Sequence, residues 1–404
     1  MASRYDTVII GAGAAGIAAA RLLHDAGRAI LLLEAGARIG GRAHTIRHGD
    51  AHLDLGCGWL HSAKRNPWAA IARERGFVID TDAAHWDQQW RDLGYSPTEQ
   101  AAFSAAWDRW EMKARAAADG ADQPLSAFIA RDDPWYQQVD AISGFVNGAP
   151  LDRVSLHDWL AYENAATDDN WAVRQGYGAL IADHARGLPI RLSTPVTRID
   201  HGRHLLRIDT PAGTIEAERA IVTVPTPLLA DERLRFDPPL PEKTAAAAAL
   251  PLGVANKVFL AVDRPEWPAN VHLLGNPRSR HTASHRLSPF GWPVIESFFG
   301  GDTASALEDG AANAVAIDEC VALLGSGWRD RLRPIAASRW RREPWIAGSY
   351  SHARIGHAAA RQTLGKPVDH RLFFAGEACH PTDFSTAHGA YETGILAARA
   401  ILGG

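Results

Sequence analysis

Three glycines and a carboxylate near the start of the chain carry a chemistry in their spacing. Gly11, Gly13 and Gly16 follow the pattern Gly-x-Gly-x-x-Gly, Ala15 precedes the third, and Glu34 with Ala35 ends the leucine-rich stretch that comes next. In such a unit the first glycine makes a tight turn, the second lets backbone approach a pyrophosphate, and the third lets a helix close on a sheet. The acid receives ribose hydroxyls. N–H groups at the helix N-terminus face the phosphates. The triplet alone also occurs where helices merely pack on sheets; the following strand with Glu34 in register favours a dinucleotide site.

A second glycine group, Gly36, Gly40 and Gly41 with Arg42, offers more N–H donors and a fixed cation, which suits a permanently held dinucleotide. Lys257 is the other residue whose type is unexpected. Only five of the 42 lysines and arginines are lysines, and this one interrupts the apolar run 254–262. A buried ammonium there needs a partner or a task. An edge strand with Lys257 in solvent is the alternative, and the residues alone leave both open. Glu163, Asp80, Asp82 and Asp87 are carboxylates that a cationic ligand would use, yet each reads individually as a solvated surface group. The 14 tryptophans read as packing. Cys57, Cys320 and Cys379 form no Cys-x-x-Cys pair and are odd in number, which argues against a disulfide scaffold and for a reducing compartment.

The elements that must position these groups alternate along the chain. Residues 7–10 read as a strand, the stretch to 26 as a helix and 29–34 as a strand, a βαβ unit. Residues 86–171 are helical in pattern and rich in tryptophan, with a polar loop at 167–170. Strands return over 190–193, 196–200, 205–209 and 215–224, with a turn at 211–213. A second insertion runs from about 228 to 337, opening on the proline-rich 237–241 and including the strand 254–262. Residues from 340 onward close with a strand at 372–375 and a helix at 387–402. The expected fold is α/β: a Rossmann-like dinucleotide-binding domain from 1–85, 180–228 and 340–404, with an inserted α+β substrate domain from 86–179 and 229–339. A length of 404 residues exceeds what one core sustains, so two packed units are expected.

A net charge of -4 gives no reason to expect nucleic acid. The apolar run 8–20 has the composition of a signal-peptide core, but its glycines and the strand beginning near Tyr5 argue against a leader. No stretch is long and apolar enough to span a bilayer, and the C-terminal residues carry no anchor, so the expectation is a cytoplasmic protein without membrane contact.

Four segments resemble the flavin amine oxidase superfamily, and within it the polyamine oxidases most. They are 36–42; 53–61 with Asn66 and Pro67; Trp340 to Pro344 with Gly348 to Ser351; and Phe374 to Ala378 with Ser385 to Ala390. The resemblance implies an FAD domain of the glutathione-reductase-like type. In it Gly56, Gly58 and Trp59 pass the flavin, Trp340 packs nearby, and Gly376 and Glu377 meet the ribityl-diphosphate portion. Ser385, Thr386 and Ala387 would aim N–H groups at the ring, and the backbone of Val196 would read the adenine, unless Val196 is simply core. Lys257 would hold a water to flavin N5, Trp59 and Tyr350 would flank the ring, His61 would face a distal amine, and Thr386 stands where spermine oxidases carry threonine. No cysteine stands near Tyr350 to tether the flavin, so FAD is expected to be non-covalent, with no metal. The implied reaction oxidises a small-molecule amine, a polyamine first, with O2 as acceptor and H2O2 as product, in a monomer or homodimer. A bulkier monoamine or an L-amino acid is the alternative, for which an arginine facing the flavin would be the sign; a non-catalytic flavoprotein is the other. The chain is shorter than typical polyamine oxidases in the helical substrate region, so residue roles do not carry over there.

Overall fold

The computed structural model describes residues 4–82, 84–86 and 88–403, so Asp87 lies outside the described residues. Strand Arg4–Ile10, helix Ala14–Asp25 and strand Ile30–Leu33 form the expected βαβ unit in the middle of an eight-stranded sheet. The two strands run parallel, from Thr7 opposite Ile30 to Ile10 opposite Leu33. All of Ile30–Leu33 is buried, as a strand covered on both faces must be. Ile190–Arg191 extends the sheet on one side, and Gly213–Val222 on the other. That long strand shares its far edge, with Leu206–Thr210 antiparallel along its first half and Leu372–Phe374 parallel along its second. The carboxyl ends of the parallel strands therefore bring residues 11–13, 34–36 and 375–377 to one edge, where open α/β sheets bind ligands.

A five-stranded antiparallel sheet forms the second layer, in the order Val271–Leu274, Ala283–Leu287, Val294–Gly300, Ala255–Val262, Leu332–Ala337. The strand carrying Lys257 is interior, paired on both sides, which removes the edge-strand alternative. Helices Pro97–Ala116, Tyr136–Asn147 and Leu156–Glu163 enclose their own core, where Trp110 and Trp159 pack at 5.2 Å. Ser96 and Glu99 close the first of these helices with reciprocal caps. Trp59–Leu60, Trp171–Val173 and Ile79–Asp80 make a small sheet that fixes Trp59 beside the second layer.

One boundary differs from the sequence reading. Residues 229–250, read as the start of the second insertion, stay with the first layer: Arg235–Asp237 pairs with Arg198–Asp200, and Ala246, Ala247 and Leu250 join the large sheet's core. Apolar burial under the sheet overrode the proline-rich turn signal. Val196 stands two residues before the strand Arg198–Asp200, with its side chain buried in the same core. No helix among the described residues is long and apolar enough to cross a membrane.

The helix Ala14–Asp25 packs on the last helix, Ala387–Gly403, through small residues, so closely that a Cβ at Gly394 would lie 2.2 Å from the Ala15 carbonyl oxygen. We expect Gly394→Ala to destabilise the fold by about 1–3 kcal/mol despite alanine's better helix propensity. Thermal denaturation checks this, and an unchanged or raised Tm would contradict it.

Candidate active site

The glycine loops form a cradle with an open outer face. Gly11 has φ +103°, which a side chain disfavours, and a Cβ at Gly16 would sit 1.9 Å from the Gly11 carbonyl oxygen. A Cβ at Gly13 would meet nothing within 4 Å, so that position keeps space clear for a ligand. No side chain caps the helix that starts there, which leaves its first N–H groups to an anion. The second loop lies against the first: Gly40 donates its N–H to Ala12 O at 2.7 Å, and a Cβ at Gly41 would touch Gly13 Cα at 3.4 Å. The Glu34 carboxylate accepts from Ala12 N–H at 2.8 Å and Gly36 N–H at 2.7 Å, and each oxygen retains a lone pair for a ribose hydroxyl. Ala15 is buried against Gly394, and Ala35 is half-buried beside Glu34. This geometry fits a bound dinucleotide.

Glu377 knots four segments together. Its carboxylate accepts from Arg42 Nη1 at 2.7 Å, Ser351 Oγ at 2.6 Å and the Ser385 N–H at 2.9 Å. Arg42 also donates to Ser349 O at 2.7 Å. The cation expected to serve a pyrophosphate therefore has an ion pair inside the protein as well. The Ser385 N–H, expected to aim at the ring, is spent on Glu377. Thr386 uses its hydroxyl to cap the last helix, donating to Asp383 O at 2.6 Å and accepting from Gly389 N–H at 3.0 Å. Gly376, at φ +135°, holds the turn before Glu377. Trp340 is buried, donates to Leu55 O at 3.1 Å, and stands 3.0 Å from where a Gly56 Cβ would be.

Lys257 lies at the heart of the second constellation. Its Nζ meets Glu296 Oε1 at 2.8 Å, with 7% and 12% of the two side chains exposed. A Cβ at Gly58 would stand 2.9 Å from that Nζ, so the absent side chain lets the ammonium reach the glycine run. Trp59, Arg286, Phe290 and Glu296 line a cavity of about 20 Å³ beside Lys257, room for about one water. Burial pushes the Asp54 carboxyl up, against the pull of Lys257, Thr45 and two backbone N–H groups. Arg286 is buried, stacks over Trp59 at 4.7 Å and Phe290 at 4.9 Å, and has no partner for its Nε. Glu296, Arg286 and Asp54 were not anticipated. Glu296 is the lone acid in an apolar strand, as Lys257 is the lone cation in its neighbour, and that shared oddity was the available signal.

His61 is half-buried, with Nδ1 2.7 Å from Asn170 Oδ1; burial lowers it to about 4, so it is neutral. The Tyr350 hydroxyl donates to Phe145 O, which ties the Gly-Ser-Tyr-Ser run to the helix Tyr136–Asn147. Burial pushes the Cys57 thiol up to about 12, an unreactive state. Of the carboxylates, Asp82 is 92% exposed, Asp80 accepts from Asn270 at 3.1 Å, and burial raises half-buried Glu163 to about 7.

Burial alone would raise the Glu377 carboxyl, but Arg42 and Ser351 outweigh it and hold it below the ordinary range. A depressed carboxylate contributes stability above its unfolded value, about 4.3, and loses it as pH falls through the folded one. We expect Glu377→Gln to cost about 3–5 kcal/mol at neutral pH and to flatten the acid side of the Tm profile. Equal acid slopes for the two proteins would contradict this role.

The comparisons with known proteins agree with this geometry. A profile described as flavin containing amine oxidoreductase matches residues 111–402, and one described as an NAD(P)-binding Rossmann-like domain matches residues 9–74. The chain is similar to polyamine oxidase 4 of Oryza sativa subsp. japonica, at 28% identity over 98% of this chain and 88% of that protein. It is similar to lysine-specific histone demethylase 2 of Homo sapiens at 25% identity, over 98% of this chain and 53% of that protein. A redesigned putrescine oxidase shares the fold, with a TM-score of 0.78, 18% identity and 99% of each chain covered. FAD is the cofactor such proteins require, and the open glycine cradle fits its pyrophosphate. With the profile spanning more than half of its residues, the chain belongs to the flavin containing amine oxidoreductase family and is an FAD-dependent amine oxidase.

Proposed function

We propose that the substrate is a polyamine, oxidised at a carbon beside one of its nitrogens to an imine that hydrolyses to an aldehyde and a shorter amine. FAD held in the glycine cradle would supply the hydride acceptor, with O2 as the final oxidant and H2O2 as the product. The observation that carries the polyamine reading is the state of His61. Asn170 Nδ2 donates to Asp168 O at 3.1 Å, which turns Asn170 Oδ1 toward His61 and makes Nδ1 of the ring the donor. Nε2 then keeps its lone pair, and a neutral imidazole with a free lone pair accepts a hydrogen bond from a distal ammonium. The name of the Oryza sativa relative, a polyamine oxidase, supports the same reading.

In this reading Gly11, Gly13, Gly16, Glu34, Gly41, Arg42, Gly376 and Glu377 hold the dinucleotide, while Gly56, Gly58, Trp59, Thr386 and Ala387 border the ring. Lys257 acts beside it, and Tyr350 forms a wall. The cofactor domain takes in 1–85, 180–250 and 340–404; the remainder covers the substrate. A second reading, an amine that carries a carboxylate, is favoured by one observation: the buried Arg286 beside Trp59 with its unpartnered Nε. An amino acid outperforming every polyamine would establish it.

We expect spermine, spermidine or an acetylated relative to exceed benzylamine in kcat/KM. That ratio should rise with pH as the reacting amine loses its proton and fall with added salt. His61→Ala should reduce kcat/KM for the polyamine by about tenfold and leave a short monoamine nearly unaffected. A higher kcat/KM for benzylamine in the wild type would refute the polyamine assignment. FAD should be non-covalent, given the protonated Cys57 and the lack of cysteine beside Tyr350. Acid precipitation should therefore release the yellow colour, and flavin retained in the pellet would refute this.

A further inference from the structure

Lys257 is gripped by a carboxylate from the neighbouring strand. On the antiparallel partner, Phe298 lies opposite Lys257 and Glu296 lies opposite Phe259. Side chains two residues apart share a face, so Glu296 and Lys257 emerge together and meet on the diagonal. On its other side Glu296 lies opposite Arg286, and Arg286 in turn opposite His272. The carboxylate is thus bracketed by two cations. Burial pushes it up, but Lys257 and Arg286 outweigh that and hold it below the ordinary range, so it carries its charge. Asp54, Cys57 and His61 are further ionisable groups close enough to sense Lys257. Only 7% of the Lys257 side chain is exposed, and its ion-pair partner is Glu296.

We propose that Glu296 is a positioning residue for Lys257: it fixes Nζ beside Gly58 and keeps it an ammonium, so that Lys257 meets the cofactor site as a hydrogen-bond donor and not as a base. The proposal rests on the assignment of Lys257 to that site. An ammonium has three N–H donors and no lone pair; one donor goes to Glu296, and the others remain for the water-sized cavity and the glycine run. The proton that the reacting amine sheds does not go to Lys257, which as an ammonium has no lone pair to receive it. Glu296 itself touches neither substrate nor cofactor in this account. Its effect passes through Lys257 alone.

Lysine reactivity reads this directly, because only a neutral amine acylates. The five lysines of the chain are separable by peptide mass mapping. Lys243, 4% exposed and hydrogen-bonded to three backbone carbonyls, serves as the buried reference. Acetic anhydride labelling at one fixed pH, on both apoprotein and holoprotein, should modify Lys257 about tenfold faster relative to Lys243 in Glu296→Gln than in the wild type. Glu296→Asp, which keeps the charge, should return Lys257 to near wild-type protection. Half-reaction kinetics supply the second readout: Glu296→Gln should slow flavin reduction or reoxidation in the wild type and add nothing in a Lys257→Met background. Unchanged Lys257 labelling in folded Glu296→Gln, or an equal kinetic loss in both backgrounds, would overturn the proposal. Normal half-reactions in Lys257→Met would instead remove Lys257 from the cofactor site, while the labelling result would still judge the Glu296 grip.

Discussion

The carboxylate of Glu377 is the constraint on which the cofactor edge depends. A carboxylate with 6% of its side chain exposed must have its lone pairs filled. Its donors come from residues 42, 351 and 385, so satisfying it brings the second glycine loop, the Gly-Ser-Tyr-Ser run and the start of the last helix to one point. The chain of contacts continues outward. Ser351 Oγ accepts from Arg361 at 2.9 Å, and Arg361 forms a two-pronged pair with Asp158 at 2.6 and 2.8 Å, with both side chains almost wholly buried. Asp158 belongs to the helix Leu156–Glu163 and also accepts from Ala353 N–H at 2.8 Å. The helical insertion is thereby locked to the cofactor edge by buried charge, where geometry is specific, as well as by apolar contact, which is not.

The second sheet applies the same rule to different chemistry. The strand Ala255–Val262 is covered on both faces, so Lys257 must be neutralised by its neighbours, and the alternation of the pleat selects Glu296. The small sheet built on Trp59–Leu60 then brings Gly58 against the ammonium. Trp59 is held from both sides, by Trp86 at 4.9 Å and by the Arg286 guanidinium. The constellation around Lys257 is thus assembled from the glycine run beside the small sheet and the second layer's charged ladder, and neither contains it alone.

What could be read in advance follows the range of each interaction. The Gly11, Gly13, Gly16 and Glu34 cradle is local in sequence, so its spacing alone specified the turn, the helix and the strand. Lys257 was visible as an interruption in an apolar run, but whether that strand was interior depended on pairing with Val294–Gly300 and Leu332–Ala337, which no local pattern encodes. For the same reason Glu296 and Arg286 escaped notice: their meaning lies in cross-strand register. The resemblance gives Ser385 and Thr386 a place at the flavin ring; the contacts that no local pattern shows are the Ser385 N–H donated to Glu377 and the Thr386 hydroxyl that caps the last helix. The strand Arg235–Asp237 was missed because three residues beside a proline-rich turn carry little periodicity.

The account stands or falls on whether a bound amine delivers electrons to the flavin. Anaerobic mixing of the purified holoprotein with a panel of polyamines, monoamines and amino acids, followed by its visible absorbance, measures that transfer without reliance on turnover. The account predicts that a polyamine bleaches the flavin and that admitting O2 restores the colour with formation of H2O2. A flavin that no amine in the panel can bleach would contradict it.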